Sequence, residues 1–226
     1  MKIFGKIVKY TFYAIPLLVI LIVIIRLAAA NDPPESRHIL YTDSVATAHR
    51  VFGDDFVIHR VSIRNPFARG DTFYVLDVLY LESSHDLQLT FRGKKNRFED
   101  LRELVRLPTA ATFSDLVTLY LRGTTRVITE YGGIREETIV REVYDVSAYF
   151  QFENNRYEYI RVHFEDIYVD RINTRLDLFI MDNTQEINLD DLDNSGYLGR
   201  ISIFDINMAR SRANIGSFEK IDLRGR

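Results

Sequence analysis

The chain has 226 residues, with 29 lysines and arginines against 32 aspartates and glutamates, a formal net charge of −3 and no cysteine. Without cysteine it can form no disulfide, no thiolate metal site, no thiol nucleophile and no lipidated cysteine anchor. Beyond residue 30, 25 basic and 32 acidic residues remain, a net charge of about −7, which argues against nucleic acid as the main partner.

The first element is an apolar segment that follows a basic start. Residues 1–9 carry three lysines, and residues 10–30 carry a single charge, at Arg26. A helix over 10–30 would rise about 31 Å, close to the roughly 30 Å apolar core of a bilayer. Positive charge beside a span favours the cytoplasm. We therefore predict a cytoplasmic tail over 1–9, a transmembrane signal-anchor helix over 10–30 and an extracytoplasmic remainder.

A cleaved signal peptide is the alternative interpretation of the same segment. Such a peptide also has a basic start, an apolar centre and a small-residue cleavage site, here Ala28–Ala30. However, the apolar run is longer than the usual ~7–15 residues, and Arg26 lies inside the cleavage region. These two features favour an uncleaved anchor in the cell membrane. Cleavage after Ala30 would export the same domain in a secreted form.

The residues after the anchor are predicted as a spacer followed by one domain. Residues 31–41 are a short proline-bearing spacer, and residues 42–226 form the extracytoplasmic domain. A short helix is expected to begin after Thr42, a favourable N-cap residue, and to end at Gly53. A second short helix is predicted over 96–105, where an asparagine N-cap precedes apolar residues at helical spacing.

Most of the domain has the period-two pattern that is typical of β-strands. Strands are predicted over 56–63, 72–81, 87–92, 116–122, 124–129, 143–152, 157–165, 175–181 and 198–206, with a turn at Gly132-Gly133. The strand 72–81 is apolar on both faces, as in a central strand. In 87–92 apolar and polar residues alternate, which predicts one wet face. The pattern favours a mainly β fold, an antiparallel β-sandwich of immunoglobulin-like outline with one or two short helices.

Short patches of the sequence carry a resemblance to one group of proteins. They are the apolar span ending in Arg26, Asn31–Pro33, Tyr41–Asp43, Tyr80–Ser83 with Leu87–Arg92, and Gly196–Ser202. In these patches the chain resembles small, uncharacterised single-pass membrane-anchored proteins of clostridia-like Gram-positive bacteria. The resemblance implies a membrane-anchored topology and the same fold. It implies no activity, because none of the patches is a catalytic motif.

One loop has part of the spacing of a calcium site. Asp191, Asp193 and Ser195 fall at positions 1, 3 and 5 of a calcium loop, with Gly196 at position 6. Position 12 is Ser202 where such loops carry a bidentate glutamate, and a predicted strand follows instead of a helix. A polar turn leading into that strand is the favoured interpretation. A weak calcium site is the alternative.

The predicted strand 157–165 carries a row of polar side chains. They are Tyr157, Tyr159, Arg161 and His163, which alternate with apolar residues. If the apolar face belongs to the core, the polar row is exposed and could bind a ligand. Cross-strand pairing on a solvated sheet is the simpler explanation of the same pattern.

No local motif supports catalysis or a cofactor. The chain has no Gly-x-Ser-x-Gly elbow and no pair of histidines at metal-ligand spacing. We therefore predict a non-enzymatic binding or assembly module of the cell envelope, with the bilayer as partner through residues 10–30 and an envelope protein as further partner. One alternative is a module that recognises cell-wall glycan or peptide through some of its 13 tyrosines. The other is an exported hydrolase whose carboxylates meet only in the fold.

Overall fold

The chain divides into two compact units, Met1–Pro34 and Glu35–Arg226. The computed structural model describes residues 13, 15–21, 32–61, 74–95, 117–131, 133–154, 157–168, 174–182, 186–195, 197, 199–203 and 212–225. In the first unit, residues 13 and 15–21 are helical. Among the described residues, no helix has the length and apolar character needed to cross a membrane. Most of the span predicted over 10–30 lies outside the described residues.

The second unit is mainly β, as predicted. Its strands are β1 Ile39–Tyr41, β2 Val57–Arg60, β3 Tyr74–Leu81, β4 Asp86–Lys94, β5 Val117–Tyr131, β6 Ile134–Asp145, β7 Ala148–Glu153, β8 Tyr157–Phe164, β9 Thr174–Asp182, β10 Gly199–Ile203, β11 Arg212–Asn214 and β12 Lys220–Asp222. The helical elements that accompany them are α1 Asp43–Phe52 and the 3-10 turns Pro34–Arg37, Gly53–Asp55, Leu189–Asp191 and Ile215–Ser217.

The strands form two antiparallel sheets and one short parallel pair. The larger sheet has six strands in the order β11-β2-β3-β4-β8-β7, and the smaller has four in the order β10-β9-β5-β6. Every neighbouring pair in these two sheets is antiparallel. Strands β1 and β12 pair in parallel, so the beginning and the end of the domain lie side by side.

The two large sheets share one hydrophobic core. From the six-stranded sheet it contains Val75, Val78, Tyr80, Leu87, Leu89, Phe91, Ile160, Val162 and Phe164. From the four-stranded sheet it contains Leu119, Leu121, Leu176, Leu178, Ile180, Ile201 and Ile203. Because alternate residues of a strand point to one face, the period-two pattern places these side chains between the sheets. This arrangement is consistent with a β-sandwich.

A second apolar cluster lies on the opposite face of the six-stranded sheet. It joins α1 and β1 to β2 and β3 and consists of Ile39, Val45, Phe56, Ile58, Leu79, Leu81 and Ile215. Strand β3 therefore has an apolar cluster on each face, which explains why its residues other than Asp77 are apolar. The predicted helix is confirmed: the Thr42 side chain accepts a hydrogen bond from the Val45 amide, and Gly53 ends the helix with a φ of 52°.

Some of the predicted element boundaries differ from those of the structure. The predicted strands 116–122 and 124–129 are parts of the continuous strand β5. Strand β6 was missed over most of its length, because its charged residues do not alternate with apolar ones. The turn predicted at Gly132-Gly133 is confirmed at Gly133, which has a φ of 80°. The second helix, predicted over 96–105, lies outside the described residues.

Candidate functional site

A layer of polar side chains lies buried on strands β4 and β8. It consists of Asp86, Gln88 and Thr90 on β4, and Arg161 and His163 on β8, all with no exposed surface. Gln88 lies opposite His163, and Thr90 lies opposite Arg161, in the antiparallel register of the two strands. We call these five residues the polar layer. They lie on the face opposite the core that the two sheets share.

The prediction of an exposed row on β8 is wrong for three of its four residues. Tyr159, Arg161 and His163 are fully buried, and Tyr157 is half-buried. The predicted wet face of strand 87–92 is also wrong for Gln88 and Thr90, which are fully buried, whereas Arg92 is half-buried. Residues 36–44, which we call the strap, run across this face and hydrogen-bond to the polar layer. A polar face indicates a need for hydrogen-bond partners, which another segment of backbone can supply as well as water.

Gln88 holds the middle of the strap. Its side-chain Nε2 donates to the Leu40 carbonyl at 2.7 Å, and its Oε1 accepts from the Leu40 amide at 2.9 Å. The side chain thus replaces a neighbouring strand for this one residue. On the opposite side of the strap, the Ile39 amide donates to the Glu219 carbonyl at 2.9 Å. The backbone of β1 is therefore paired on both sides, once by a strand and once by a glutamine.

Arg161 holds the N-terminal end of the strap. Its Nη1 donates to the Ser36 carbonyl at 3.2 Å and to Thr90 Oγ1 at 2.7 Å, and its Nε donates to Gln88 Oε1 at 3.3 Å. Burial lowers the pKa of Arg161 to about 10, with the Asp77 carboxylate acting in the opposite direction. The guanidinium therefore remains charged at neutral pH. Bonds donated by a charged group are about twice as strong as neutral ones.

The hydrogen bonds of Gln88 determine the tautomer of His163. Gln88 Nε2 lies 3.0 Å from His163 Nδ1. Because Leu40 fixes both ends of the glutamine amide, the group that faces the imidazole is the NH₂ donor. Nδ1 of the neutral imidazole must then accept this bond, so its proton lies on Nε2.

Four oxygen-bearing side chains surround His163 Nε2. The distances from Nε2 are 3.3 Å to Thr42 Oγ1, 3.5 Å to Ser44 Oγ, 3.5 Å to Glu165 Oε1 and 3.7 Å to Asp86 Oδ2. The Ser44 hydroxyl donates to Asp86 Oδ2 at 3.0 Å. This cluster holds the C-terminal end of the strap and the start of α1.

The two carboxylates of this cluster respond differently to their surroundings. Burial raises the pKa of Asp86, and the nearby His163 and the hydroxyl donors Ser84 and Ser44 only partly offset that effect. Hydrogen bonding from His163 lowers the pKa of the partly exposed Glu165, although its partial burial acts in the opposite direction. Glu165 is therefore the carboxylate that holds its negative charge more readily.

The cluster contains the residue types of a hydrolytic triad without its geometry. In such a triad the carboxylate binds Nδ1, and Nε2 is free to take the proton of the serine. Here Ser44 and Asp86 both lie near Nε2 of His163, while Gln88 occupies Nδ1. An Nε2 that already carries a proton cannot act as a base toward Ser44. The chemistry that this arrangement supports is hydrogen bonding between the strap and the sheet.

The candidate calcium loop makes the contacts of a polar turn. Asp193 receives Arg122 Nη1 at 2.7 Å and Arg200 Nη1 at 2.9 Å, so two cations occupy its carboxylate. The Ser195 hydroxyl donates to the Asp191 carbonyl at 2.8 Å. In the part of the chain that the structure describes, no group of three or more histidine, aspartate or glutamate side chains could hold a metal ion.

An arginine cluster lies on the outer face of the four-stranded sheet. Its centre is the buried Asp177 carboxylate, whose Oδ2 lies 2.8 Å from Arg200, 3.2 Å from Arg175 and 3.7 Å from Arg122. The guanidinium groups of Arg122 and Arg200 lie 4.7 Å and 5.2 Å from the centre of the Phe179 ring. Burial alone would raise the pKa of Asp177, but bonds from Arg200 and Ser202 outweigh it and lower that pKa.

Among the described residues, the β5–β6 hairpin extends beyond the pairing of β5 with β9. Residues 126–131 of β5 pair with 134–139 of β6, whereas the described pairs between β5 and β9 end at Thr125. We call these two segments the arm. Exposed apolar residues on or next to it are Val127, Ile128, Tyr131, Ile139 and Val140. Tyr131 is 91% exposed.

An aromatic group lies at the far end of the face that carries the polar layer. The guanidinium of Arg92 lies 5.0 Å from the centre of the Tyr74 ring and 4.7 Å from that of Tyr157. Tyr159 stacks on Phe152 with ring centres 5.0 Å apart. The tyrosine end of the predicted row therefore belongs to an aromatic and cationic group, whereas its arginine and histidine lie under the strap.

Comparison with known proteins adds no assignment: no protein-family model and no curated protein matches this chain. The sequence patterns did not single out Ser44, Asp86 or Gln88, although these residues hold the strap. Each has the pattern of a solvated polar residue, and no local motif distinguishes it. The functional proposal therefore depends on the geometry of the described residues and on the sequence pattern of the N-terminus.

Proposed function

We propose that this chain is a single-pass membrane protein that presents an immunoglobulin-like β-sandwich outside the cytoplasmic membrane. It acts there by binding, as an accessory or assembly subunit of an envelope complex, without catalysis. The observation that carries the binding proposal is the arm, a two-stranded ribbon that exposes apolar side chains on the described part of the domain.

The sequence of the N-terminus supports the membrane anchor. Three lysines precede residues 10–30, where Arg26 is the single charge and can reach the interface through its long side chain. In the described part of this segment, residues 15–21 are helical and their apolar side chains are exposed. Exposure of a continuous apolar surface is what a helix surrounded by lipid requires.

The strap supports a working position close to the bilayer. It starts six residues after Ala30, where the predicted span ends. Six residues reach at most about 20 Å when fully extended. Because buried hydrogen bonds from Gln88 and Arg161 fix the strap on the sheet, it does not lengthen this tether. A domain on so short a tether is suited to contact with other membrane proteins.

The arm supports the binding role. A two-stranded ribbon is marginally stable in water when nothing packs on it. Exposed apolar side chains lie on both faces of the arm, Val127 and Tyr131 on one and Ile128 and Ile139 on the other. Exposed apolar surface concentrated in one element commonly marks an interaction site. The charged residues of the arm include both signs, with Arg126 lying 3.7 Å from Glu137. A protein surface with both apolar and charged groups is therefore a better binding partner for the arm than a strongly charged polymer.

Photo-crosslinking in intact cells tests the arm as a binding surface. A photoreactive amino acid at Tyr131 is expected to give discrete adducts with another envelope protein, because this side chain is the most exposed of the described apolar groups of the arm. The matched control is Tyr149 on β7, which is 51% exposed and belongs to the other sheet. Equal adducts at both positions, or none at Tyr131, would contradict the proposal.

Recognition of cell-wall glycan or peptide is the second candidate function. The observation in its favour is the position of Arg92 between the rings of Tyr74 and Tyr157. Aromatic rings combined with a guanidinium can stack on a planar or sugar-like ligand and hydrogen-bond to it. This candidate ranks second because the Arg161 and His163 side chains of the same face are buried under the strap.

A further inference from the structure

Strand β6 forms one edge of the four-stranded sheet. Among the residues that the structure describes, it pairs only with β5. It is a long strand of 12 residues, and Arg135–Glu142 are exposed along it. A long exposed edge is a template for pairing with another strand, and native proteins normally protect such edges or use them. Ile139 and Val140 place exposed apolar side chains near the middle of this edge.

Among registers that pair more than half of β6, its charges favour one way of pairing with a second copy. Two identical antiparallel strands related by a twofold axis perpendicular to the sheet have one residue that faces itself. Each choice of that central residue defines a register. With Val140 at the centre, Arg135 of each copy lies opposite Asp145 of the other, and Glu136 lies opposite Tyr144. No like charges face each other in this register.

The neighbouring registers all place like charges opposite each other. Centres at Glu137, Arg141 and Glu142 pair a charged residue with itself. A centre at Thr138 pairs Arg135 with Arg141. A centre at Ile139 pairs Glu136 with Glu142. Like charges directly opposite each other destabilise a strand pair, whereas opposite charges stabilise it. Among centres from 137 to 142, only Val140 gives ion pairs without such repulsion.

We propose that two copies of this chain associate through β6, in antiparallel register centred on Val140, so that two four-stranded sheets form one continuous sheet. The pairing is independent of the proposed function, because it needs neither the membrane anchor nor an envelope partner. It would place two arms on one assembly and present two copies of the binding surface.

Single-cysteine scanning tests the register, because the natural chain contains no cysteine that could react in the background. The variants T138C, I139C, V140C and R141C of the full chain are oxidised mildly and examined for disulfide-linked dimers. Residues that face each other in antiparallel strands have Cα atoms about 4.5–5.5 Å apart, within the range that a disulfide bridges. We expect V140C to form dimers several-fold faster than its neighbours. A maximum at another position, equal rates along the strand or no dimer would overturn the proposal.

Charge reversal tests the ion pairs separately. R135D places the new aspartate of each copy opposite Asp145 of the other. We therefore expect the R135D dimer, which carries no disulfide, to dissociate at a several-fold higher protein concentration than the dimer of the natural chain in sedimentation measurements. R135D combined with D145R restores opposite charges in each pair and is expected to restore association. R141E is the matched control, since Arg141 lies opposite Ile139 in this register. Failure of the double variant to regain association, with its circular dichroism unchanged, would overturn the proposed register.

Discussion

Replacement of Gln88 by leucine is expected to lower the free energy of unfolding of the full chain by roughly 3 kcal/mol. The side chain takes part in hydrogen bonds with Leu40 N, Leu40 O, His163 Nδ1 and Arg161 Nε. Leucine has nearly the same volume but no polar atom. The buried groups of Leu40 and His163 would then lose a partner that water cannot replace without opening the strap. Each such group costs about 1–3 kcal/mol, partly relieved by local opening.

Urea unfolding measures the loss of stability in Q88L, and hydrogen exchange measures the local opening of the strap. The unfolding midpoint should fall, and the Leu40 amide should exchange much faster in Q88L than in the natural chain. Q151L is the matched control, because Gln151 is half-buried on strand β7. The role of Gln88 would be disproved by unchanged protection at Leu40, or by equal destabilisation in the two variants.

Replacement of Asp177 by asparagine is the second change with a large expected effect. Its carboxylate is 1% exposed and lies between three guanidinium groups. Asparagine keeps the shape of the side chain and removes the charge. It therefore removes the buried one of the two carboxylates that Arg122 and Arg200 share, and leaves them the partly exposed Asp193. Removal of one partner from a buried ion pair costs about 3–5 kcal/mol, so we expect a loss of roughly 3 kcal/mol at pH 7.

The same carboxylate gives the stability a defined pH dependence. Because the bonds from Arg200 and Ser202 outweigh the effect of burial, the pKa of Asp177 is lower in the folded chain than in the unfolded chain. Its contribution to stability is therefore present above the unfolded pKa of about 3.9 and is lost as the pH falls through the folded pKa. D177N should lack this part of the acid-induced loss.

Thermal unfolding from pH 7 to pH 3 distinguishes this contribution from a general effect of acid. The natural chain should lose stability more steeply below pH 4 than D177N, so that the two curves converge. D190N is the matched control, since Asp190 is an exposed carboxylate in the adjacent turn. Parallel curves for the natural chain and D177N would show that Asp177 does not carry the predicted charge interaction.

The elements that could be predicted from the sequence are those in which apolar residues face apolar surroundings and nearby residues cap the ends. Strand β3 is apolar on both faces because each face packs against its own apolar cluster. Helix α1 begins after Thr42 and ends at Gly53, because these residues satisfy the helix ends locally. In both cases the information lies within a few residues of the element, which a sequence pattern can record.

The polar layer could not be predicted in the same way. Gln88, Thr90 and Arg161 alternate with core residues as solvated residues do, and their burial depends on a segment more than 40 residues away in sequence. Periodicity reports which residues share a face, and polarity reports that the face needs hydrogen bonds. Neither reports whether water or the backbone of the strap supplies them.

Strand β6 shows a second limit of sequence patterns. Its residues Arg135, Glu136 and Glu137 are adjacent charges, so neither face has an apolar alternation. The strand forms because its backbone pairs with β5 along its whole length. Propensity and periodicity describe side chains, whereas this strand depends on backbone hydrogen bonds to a partner that the sequence does not identify.

The membrane anchor and its orientation are tested most directly by the location and size of the chain in cells that express it with a C-terminal tag. Membrane fractionation, protease treatment of intact cells and comparison with a full-length standard are carried out on the same sample. We expect a full-length product in the membrane fraction whose tag is removed by external protease. A tag that stays protected in intact cells would contradict the proposed orientation. A product about 30 residues shorter and free of the membrane would contradict the anchor.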